Sequence, residues 1–266
     1  MSQVPEAIWL NVSPAVQGFD RPLLKKLAQH CSVAQWEFCQ SLDEPLSLEV
    51  ALVLLHDYLK HHDQPVHLLG HSTGGLLALL YARKYPERVR SLSLLAVGVH
   101  PAVDWQAHYY AQLQLLPCSR EMLLTQTVYT LFGYQSAPVT RELRHLLERD
   151  LKHSLSPHTL YHRVSFFPAG VPVPLLVCGS QTDSIVDPTQ IEGWQTWLKD
   201  CDRLWLCPDG RYFFHYFQPQ DVSQQIVNFW SAQDARACAS KHRESSARTS
   251  ALSPQRNRQN QIPQSS

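Results

Sequence analysis

The sequence lacks an excess of charge of either sign, because 23 lysine and arginine residues balance 23 acidic residues. A chain without net charge has no long-range field that attracts nucleic acid or an anionic membrane surface. It also lacks an apolar run near the roughly 18 residues that span a bilayer, and its first residues do not resemble a secretory leader. We therefore expect a cytoplasmic protein with no membrane span and no nucleic acid partner.

Paired cysteines and ligand-binding signatures are missing as well. The seven cysteines are odd in number and scattered, with no Cys-x-x-Cys pair, which favours buried thiols in a reducing compartment. No spacing of histidine, cysteine and carboxylate residues indicates a metal site. No Gly-x-Gly-x-x-Gly or phosphate loop occurs. We expect neither a metal nor a cofactor.

One segment, Val66 to Ala82, is the most informative part of what is present. It contains a short apolar strand pattern, the turn Gly70-His71-Ser72-Thr73-Gly74, and an apolar helix pattern. A Gly-x-Ser-x-Gly motif between a strand and a helix is typical of a nucleophile elbow, a sharp turn that exposes the serine. Gly70 and Gly74 suit a turn too tight for a Cβ. The pattern therefore predicts Ser72 as a nucleophile at the N-terminus of a helix.

Strand and helix patterns alternate along most of the chain. The predicted strands are residues 7–12, 33–38, 66–69, 90–97, 173–178 and 203–207. Such alternation predicts an α/β protein with a doubly wound, mostly parallel sheet of about six strands. Residues 99–170 show only helix patterns and predict a helical cap between core segments 1–98 and 171–232. Residues 233–266 lack aromatic side chains and have six basic against two acidic residues, which predicts a disordered tail.

This order of elements, from about residue 7 to residue 232, resembles the α/β-hydrolase fold. It is most similar to the branch of lid-bearing esterases, lipases and haloperoxidase-like enzymes. The usual first two strands have no counterpart, so the resemblance implies an N-terminally reduced sheet. It also implies a Ser-His-Asp triad in which Ser72 is the nucleophile.

The resemblance implies an acid after the strand that ends near Cys178. Gly179-Ser180-Gln181-Thr182-Asp183 matches the family's acid turn with one additional residue, which indicates Asp183. Its role would be to orient the histidine and stabilise the imidazolium. Asp187 is an alternative that suits the cap of a helix beginning at Pro188, and Asp104 is another.

The position of the base is ambiguous in this chain. The family places its histidine shortly after the last strand, where this sequence reads Asp209-Gly210-Arg211-Tyr212-Phe213-Phe214-His215. Alignment on the aromatic residues puts Tyr212 at the usual histidine position. His215 lies three residues later, on the same side of a helical turn. Either His215 is the base, or it fills an aromatic cluster and the standard triad is broken.

The oxyanion-binding loop also departs from the family. The usual His-Gly is replaced by Leu10-Asn11-Val12-Ser13-Pro14. The resemblance implies one backbone donor at Thr73, directly after the nucleophile, and a second at Ser13. Loss of one such donor lowers the rate by roughly two to three orders of magnitude.

The resulting hypothesis is a serine hydrolase that cleaves a small or medium carboxylic ester or related acyl compound. Ser72 would attack the carbonyl, His215 would take the serine proton, and Asp183 would orient His215. Two alternatives stay open. One is a catalytically impaired member of the fold that binds a ligand or acts as a scaffold. The other is an acyltransferase or lyase with the same triad.

Overall fold

The computed structural model describes residues 5–39 and 47–251, with side chains as far as residue 236. Its centre is a six-stranded sheet in the order β2-β1-β3-β4-β5-β6, and every neighbouring pair is parallel. The strands are β1 Ala7–Asn11, β2 Val33–Glu37, β3 Val66–His71, β4 Val89–Leu95, β5 Leu175–Ser180 and β6 Arg203–Cys207. The predicted doubly wound α/β fold is confirmed.

The helices connect the strands and cover the sheet. They are α1 Arg21–Leu27, α2 Leu48–Leu59, α3 Ser72–Lys84, α4 Trp105–Leu115, α5 Arg120–Phe132, α6 Ala137–His153, α7 Pro188–Glu192, α8 Phe214–Phe217 and α9 Pro219–Ala251. Strands β1, β3 and β5 are buried along almost their whole length, as a parallel sheet with helices on both faces requires. The carboxyl ends of these strands meet at one edge of the sheet, where ligand sites of such folds form.

Helices α4, α5 and α6 occupy the long connection between β4 and β5. Helix α4 begins after Asp104, whose Oδ1 accepts a hydrogen bond from the Ala107 amide at 2.8 Å. Helix α5 begins after Ser119, which caps the Met122 amide. The segment after α6 returns to the core, where the Leu155 amide donates to the Val12 carbonyl at 2.9 Å. This connection contains the helices that we expect of a cap.

The last helix differs from the expected organisation. It begins at Pro219 and continues to Ala251, so the segment 233–251 is helical rather than a disordered tail. The physical reason is composition: this segment is rich in alanine, arginine and other good helix formers and contains no proline or glycine. Residues 252–266 of the predicted tail lie outside the described residues. None of the helices that the structure describes combines the length and hydropathy needed to cross a membrane.

Candidate active site

Ser72 occupies the sharp turn between β3 and α3. Its φ of 53° lies in the left-handed region, which is strained for any residue with a Cβ. A Cβ at Gly70 would lie 2.5 Å from the Gly74 carbonyl carbon, and one at Gly74 would overlap the Leu10 carbonyl oxygen. Both glycines are therefore required by close backbone contact. The geometry is that of a nucleophile elbow.

The loops after β5 and β6 are joined by a small polar network beside the elbow. The Thr182 hydroxyl donates to Asp209 Oδ1 at 2.8 Å and accepts from the Arg211 amide at 3.1 Å. Gly210 and Arg211 both have positive φ, so the chain reverses sharply after β6. This reversal brings Tyr212 over Ser72.

The Tyr212 hydroxyl donates a hydrogen bond to Ser72 Oγ. Tyr212 is buried, and burial raises the pKa of its phenol well above the ordinary value. A phenol that keeps its proton at neutral pH donates a hydrogen bond but does not take a proton from serine. Tyr212 therefore occupies the position of a general base without the chemistry of one.

Asp183 is buried in the loop that follows β5. After burial and the charge of Asp104, the charge of Asp183 is a further cause of the raised pKa of the Tyr212 phenol. Asp183 Oδ1 accepts hydrogen bonds from the Ile185 and Val186 amides at 2.8 and 3.2 Å, whereas its buried Oδ2 has no hydrogen-bond partner among the described residues. Burial raises the pKa of this carboxyl to about 7. The free oxygen faces no N–H donor of the kind that an imidazole supplies.

His215 is not in contact with Ser72 or Asp183. Its Nε2 lies 3.0 Å from Asp20 Oδ1, and the Trp9 indole N–H donates to Asp20 Oδ2 at 2.9 Å. His215 is fully buried, and burial lowers its pKa to about 3. In the part of the chain that the structure describes, no hydrogen bond joins Ser72, His215 and Asp183 to one another. The predicted triad is therefore not assembled, because the fold directs His215 towards Asp20 and gives its place to Tyr212.

His71 contributes to the position of Tyr212. Its Nε2 lies 2.9 Å from the Tyr212 carbonyl oxygen, and its ring centroid is 4.7 Å from the Tyr212 ring. Because a carbonyl only accepts, Nε2 carries the proton. Burial lowers the pKa of His71 to about 3, so the ring is neutral. His71 thus has a structural role: it positions Tyr212.

The two predicted oxyanion donors differ in whether their amide hydrogen already has an acceptor. Thr73 is the second residue of α3, so its amide has no acceptor within the helix. The Ser13 amide, in contrast, donates to Asn11 Oδ1 at 2.9 Å. The structure therefore does not leave Ser13 free for an oxyanion, because the side chain of Asn11 already accepts its hydrogen.

The alternative acids have other roles. Asp187 Oδ1 accepts from the Thr189 and Gln190 amides at 2.9 and 3.2 Å, so it caps α7 as the sequence indicates. Asp104 accepts a hydrogen bond from the Thr73 hydroxyl at 2.9 Å in addition to capping α4. Neither carboxyl forms a hydrogen bond with a histidine among the described residues. Asp104 Oδ1 lies 3.8 Å from His158 Nε2, which is too far for a hydrogen bond.

A cleft, which we call the elbow cleft, lies beside Ser72. It is lined by Trp9, Leu10, Asn11, Val12, Ser13, Val16, Asp20, His71, Ser72, Gly74, Trp105, Tyr212 and Phe213. The lining combines aromatic and aliphatic side chains with polar groups that include Asp20, His71 and Ser72, and it contains no lysine or arginine. The cleft therefore offers no positively charged side chain to an anionic ligand.

Sequence analysis did not identify Asp20 or Asn11 as part of this site. The partners Asp20 and His215 are 195 residues apart, and no local pattern signals that contact. The sequence does indicate the position of Tyr212, because alignment on the aromatic residues puts it at the usual histidine position. Among the described residues, no group of three or more histidine, cysteine or acidic side chains is arranged to hold a metal ion.

Comparisons with known proteins agree with this architecture. Residues 58–234 match the family model described as alpha/beta hydrolase fold. The chain is 50% identical to an uncharacterized protein of Synechocystis sp., over 88% of this chain and 93% of that protein. It is 46% identical to an uncharacterized protein of Nostoc sp., over 86% and 92% of the two chains. The chain belongs to the α/β-hydrolase fold family.

A solved structure with the same fold is naproxen esterase from Bacillus subtilis. The TM-score is 0.67, with 14% identity, over 86% of this chain and 85% of the esterase. At this identity the likeness concerns the fold alone.

Proposed function

We propose that this protein binds a small, uncharged acyl compound in the elbow cleft and does not hydrolyse it. The observation that carries the proposal is the hydrogen bond from the Tyr212 hydroxyl to Ser72 Oγ. A serine becomes a nucleophile when an adjacent base takes its proton. Tyr212 offers Ser72 a proton instead, so the hydroxyl remains a weak nucleophile.

The surroundings of the cleft support an uncharged ligand. The carboxyl group of Asp20 lines the cleft, and burial raises its pKa to about 7. At neutral pH a substantial fraction of Asp20 is ionised and would repel a carboxylate ligand. The aromatic and aliphatic part of the lining suits the chain of an ester, amide or ketone. The amides of the first turn of α3 suit its carbonyl oxygen.

A second candidate is the serine hydrolase that cleaves a carboxylic ester with Ser72, His215 and Asp183. It is favoured by the strained backbone of Ser72 in an open cleft and by the resemblance of the fold to that of naproxen esterase. This candidate requires His215 to leave Asp20 and Tyr212 to leave Ser72. An acyltransferase or lyase would need the same rearrangement.

The test is to install the missing base. In Tyr212→His, the imidazole would lie beside Ser72 and would complete a triad if Asp183 Oδ2, which has no hydrogen-bond partner among the described residues, accepts its second nitrogen's hydrogen. We expect the wild-type protein to show no Ser72-dependent hydrolysis of p-nitrophenyl butyrate. Tyr212→His should raise kcat/KM by about 100-fold or more, the contribution typical of a positioned general base.

Controls separate a new triad from a disturbed fold. Tyr212→Phe removes the hydroxyl without adding a base and should remain inactive. Adding Ser72→Ala or Asp183→Asn to Tyr212→His should remove most of the gain. Wild-type turnover that disappears in both Ser72→Ala and His215→Ala would establish the hydrolase and overturn the proposal.

A further inference from the structure

Helix α2 is apolar around its whole circumference. Ala51, Leu55 and Leu59 form the face that is buried against the core. The opposite face exposes Val50, Val53, Leu54 and Tyr58, of which 50%, 61%, 49% and 38% is accessible to solvent. Among the 12 residues of the helix, Glu49 and Asp57 are the acidic ones, and none is lysine or arginine. A helix that is apolar on all sides is typically covered on all sides.

The exposed apolar side chains of α2 form one continuous stripe. Val50, Leu54 and Tyr58 follow one another at intervals of four residues, so they lie in one row along the helix, and Val53 lies beside that row. We call these four residues the α2 stripe. Single apolar residues at a surface are ordinary, whereas a contiguous group marks an interaction surface.

The α2 stripe belongs to the helix nearest an open edge of the sheet. Helix α2 connects β2 to β3, which flank β1, so a right-handed connection carries α2 across the face over β1. Helix α3 packs on β3 and β4 and contacts α2. The topology therefore places α2 between α3 and the edge formed by β2. Within the described part of the chain β2 pairs with β1 alone, and none of its five residues is fully buried.

The two ends of α2 carry opposite charges that are exposed to solvent. Glu49 lies in the first turn, and Lys60 follows the last residue, about 17 Å further along the axis at 1.5 Å per residue. In a second copy of α2 that lies antiparallel, with Leu54 opposite its counterpart, each Glu49 meets Lys60 of the partner subunit. Lys60 also pairs with Asp57 of its own helix, and an ammonium group has enough N–H donors for two carboxylates.

We propose that this protein forms a symmetric dimer in which the α2 stripe packs antiparallel against the same stripe of a second copy. The two-fold axis is perpendicular to the sheet and passes beside Leu54. It places both copies of α2 on one face of the dimer and the two β2 edges side by side. A two-fold contact requires a surface that is complementary to itself. The α2 stripe meets this requirement, because its centre is apolar and its flanking charges are opposite.

The mass of the full-length protein in solution tests the dimer. In sedimentation velocity at increasing micromolar concentration, the mass should approach twice the 30.4 kDa of one chain. Leu54→Glu brings two carboxylates together at the axis and should raise the dimer Kd about 100-fold or more. Met122→Glu is the matched control, since it puts the same charge at a 65% exposed apolar position of α5, and it should leave the Kd within about twofold.

Two results of that experiment overturn the proposal. One is a wild-type protein that stays monomeric at every concentration, which would leave the α2 stripe to a different protein or a lipid surface. The other is a dimer that Leu54→Glu and Met122→Glu weaken equally.

An exchange of charges tests the antiparallel alignment. Glu49→Lys and Lys60→Glu each create like-charge contacts within their own dimers, so each should raise the Kd about tenfold. In an equimolar mixture, both contacts of the heterodimer again join opposite charges, and the Kd should return to within about threefold of wild type. Mixing changes the fold of neither variant, so recovery reports the contact itself. A mixture that associates no more tightly than the separate variants overturns this alignment.

Amide hydrogen exchange tests the position of the β2 edges. Residues 33–37 should exchange more slowly in the wild-type dimer than in Leu54→Glu at the same protein concentration, because the second copy covers that edge. Strand β3, in the interior of the sheet, should exchange alike in both proteins. Equal exchange of residues 33–37 in the two proteins overturns the placement of the β2 edges in the dimer contact.

Discussion

At residue 212 the phenol of Tyr212 is hydrogen-bonded to Ser72, which lies on a strained turn. The Asp183 carboxyl, whose charge acts on that phenol after burial and the charge of Asp104, has a buried oxygen without a hydrogen-bond partner among the described residues. An imidazole donates from one nitrogen and accepts at the other, whereas a phenol has a single oxygen. We therefore infer that a histidine at position 212 would connect Ser72 with Asp183.

The raised pKa of Asp183 gives a prediction for stability. A carboxyl whose pKa rises from 3.8 to about 7 on folding holds its proton more tightly in the folded state. Its contribution to the free energy of unfolding is therefore largest below pH 4 and is lost as the pH rises through 7. Asp183→Asn removes this loss, so the variant should gain stability relative to wild type between pH 5 and pH 8.

The difference should be on the order of 1 kcal/mol or more, measured by urea unfolding of both proteins at each pH. The half-buried His71 and the buried His215 act in the opposite sense, since loss of solvation lowers their pKa to about 3. They are common to both proteins and cancel in the comparison. An identical difference in unfolding free energy at pH 5 and pH 8 would show that Asp183 keeps an ordinary pKa.

The elements around the elbow were predictable where the pattern is local. Strand β3 and helix α3 follow from one apolar segment interrupted by a glycine-flanked turn, and β6 has the predicted bounds. Helix α9 extends 21 residues beyond the predicted end at Trp230. Its apolar face stops near that residue, and the remainder follows helix propensity alone, which is a weaker signal than the polar composition of the segment.

Close packing of β1 against α3 predicts a sharp contrast between two glycines. In Gly74→Ala the new methyl would overlap the Leu10 carbonyl oxygen, whereas Gly18→Ala would meet no heavy atom within 4 Å. Overpacking against backbone cannot be relieved by a rotamer change. Gly74→Ala should therefore lower the free energy of unfolding by about 2 to 3 kcal/mol, measured by urea denaturation.

Gly18→Ala is the matched control for that measurement. Its backbone φ is not positive, so alanine fits without strain and should change the stability by less than about 1 kcal/mol. Equal effects of the two substitutions would mean that the elbow does not pack against β1 as closely as described.

For the molecule as a whole, the architecture and the chemistry differ in how far sequence determines them. The parallel sheet and the helices that cover it are predicted by alternating strand and helix patterns, and each pattern is contained within about ten to twenty residues. The site depends on contacts between distant segments, such as Asp20 with His215 and Tyr212 with Ser72. The loop after β6 decides which side chain reaches Ser72, and its two consecutive positive φ angles have only Gly210 as a signal in the sequence.

The fold alone does not establish hydrolysis, because folds persist when their sites change. We propose that Tyr212 holds Ser72 unreactive. A fluorophosphonate probe measures this directly, since it labels only serines that a base activates. We predict that intact-mass analysis finds wild-type protein unlabelled and Tyr212→His labelled at Ser72. Labelling of the wild-type protein that is lost in Ser72→Ala would contradict the claim.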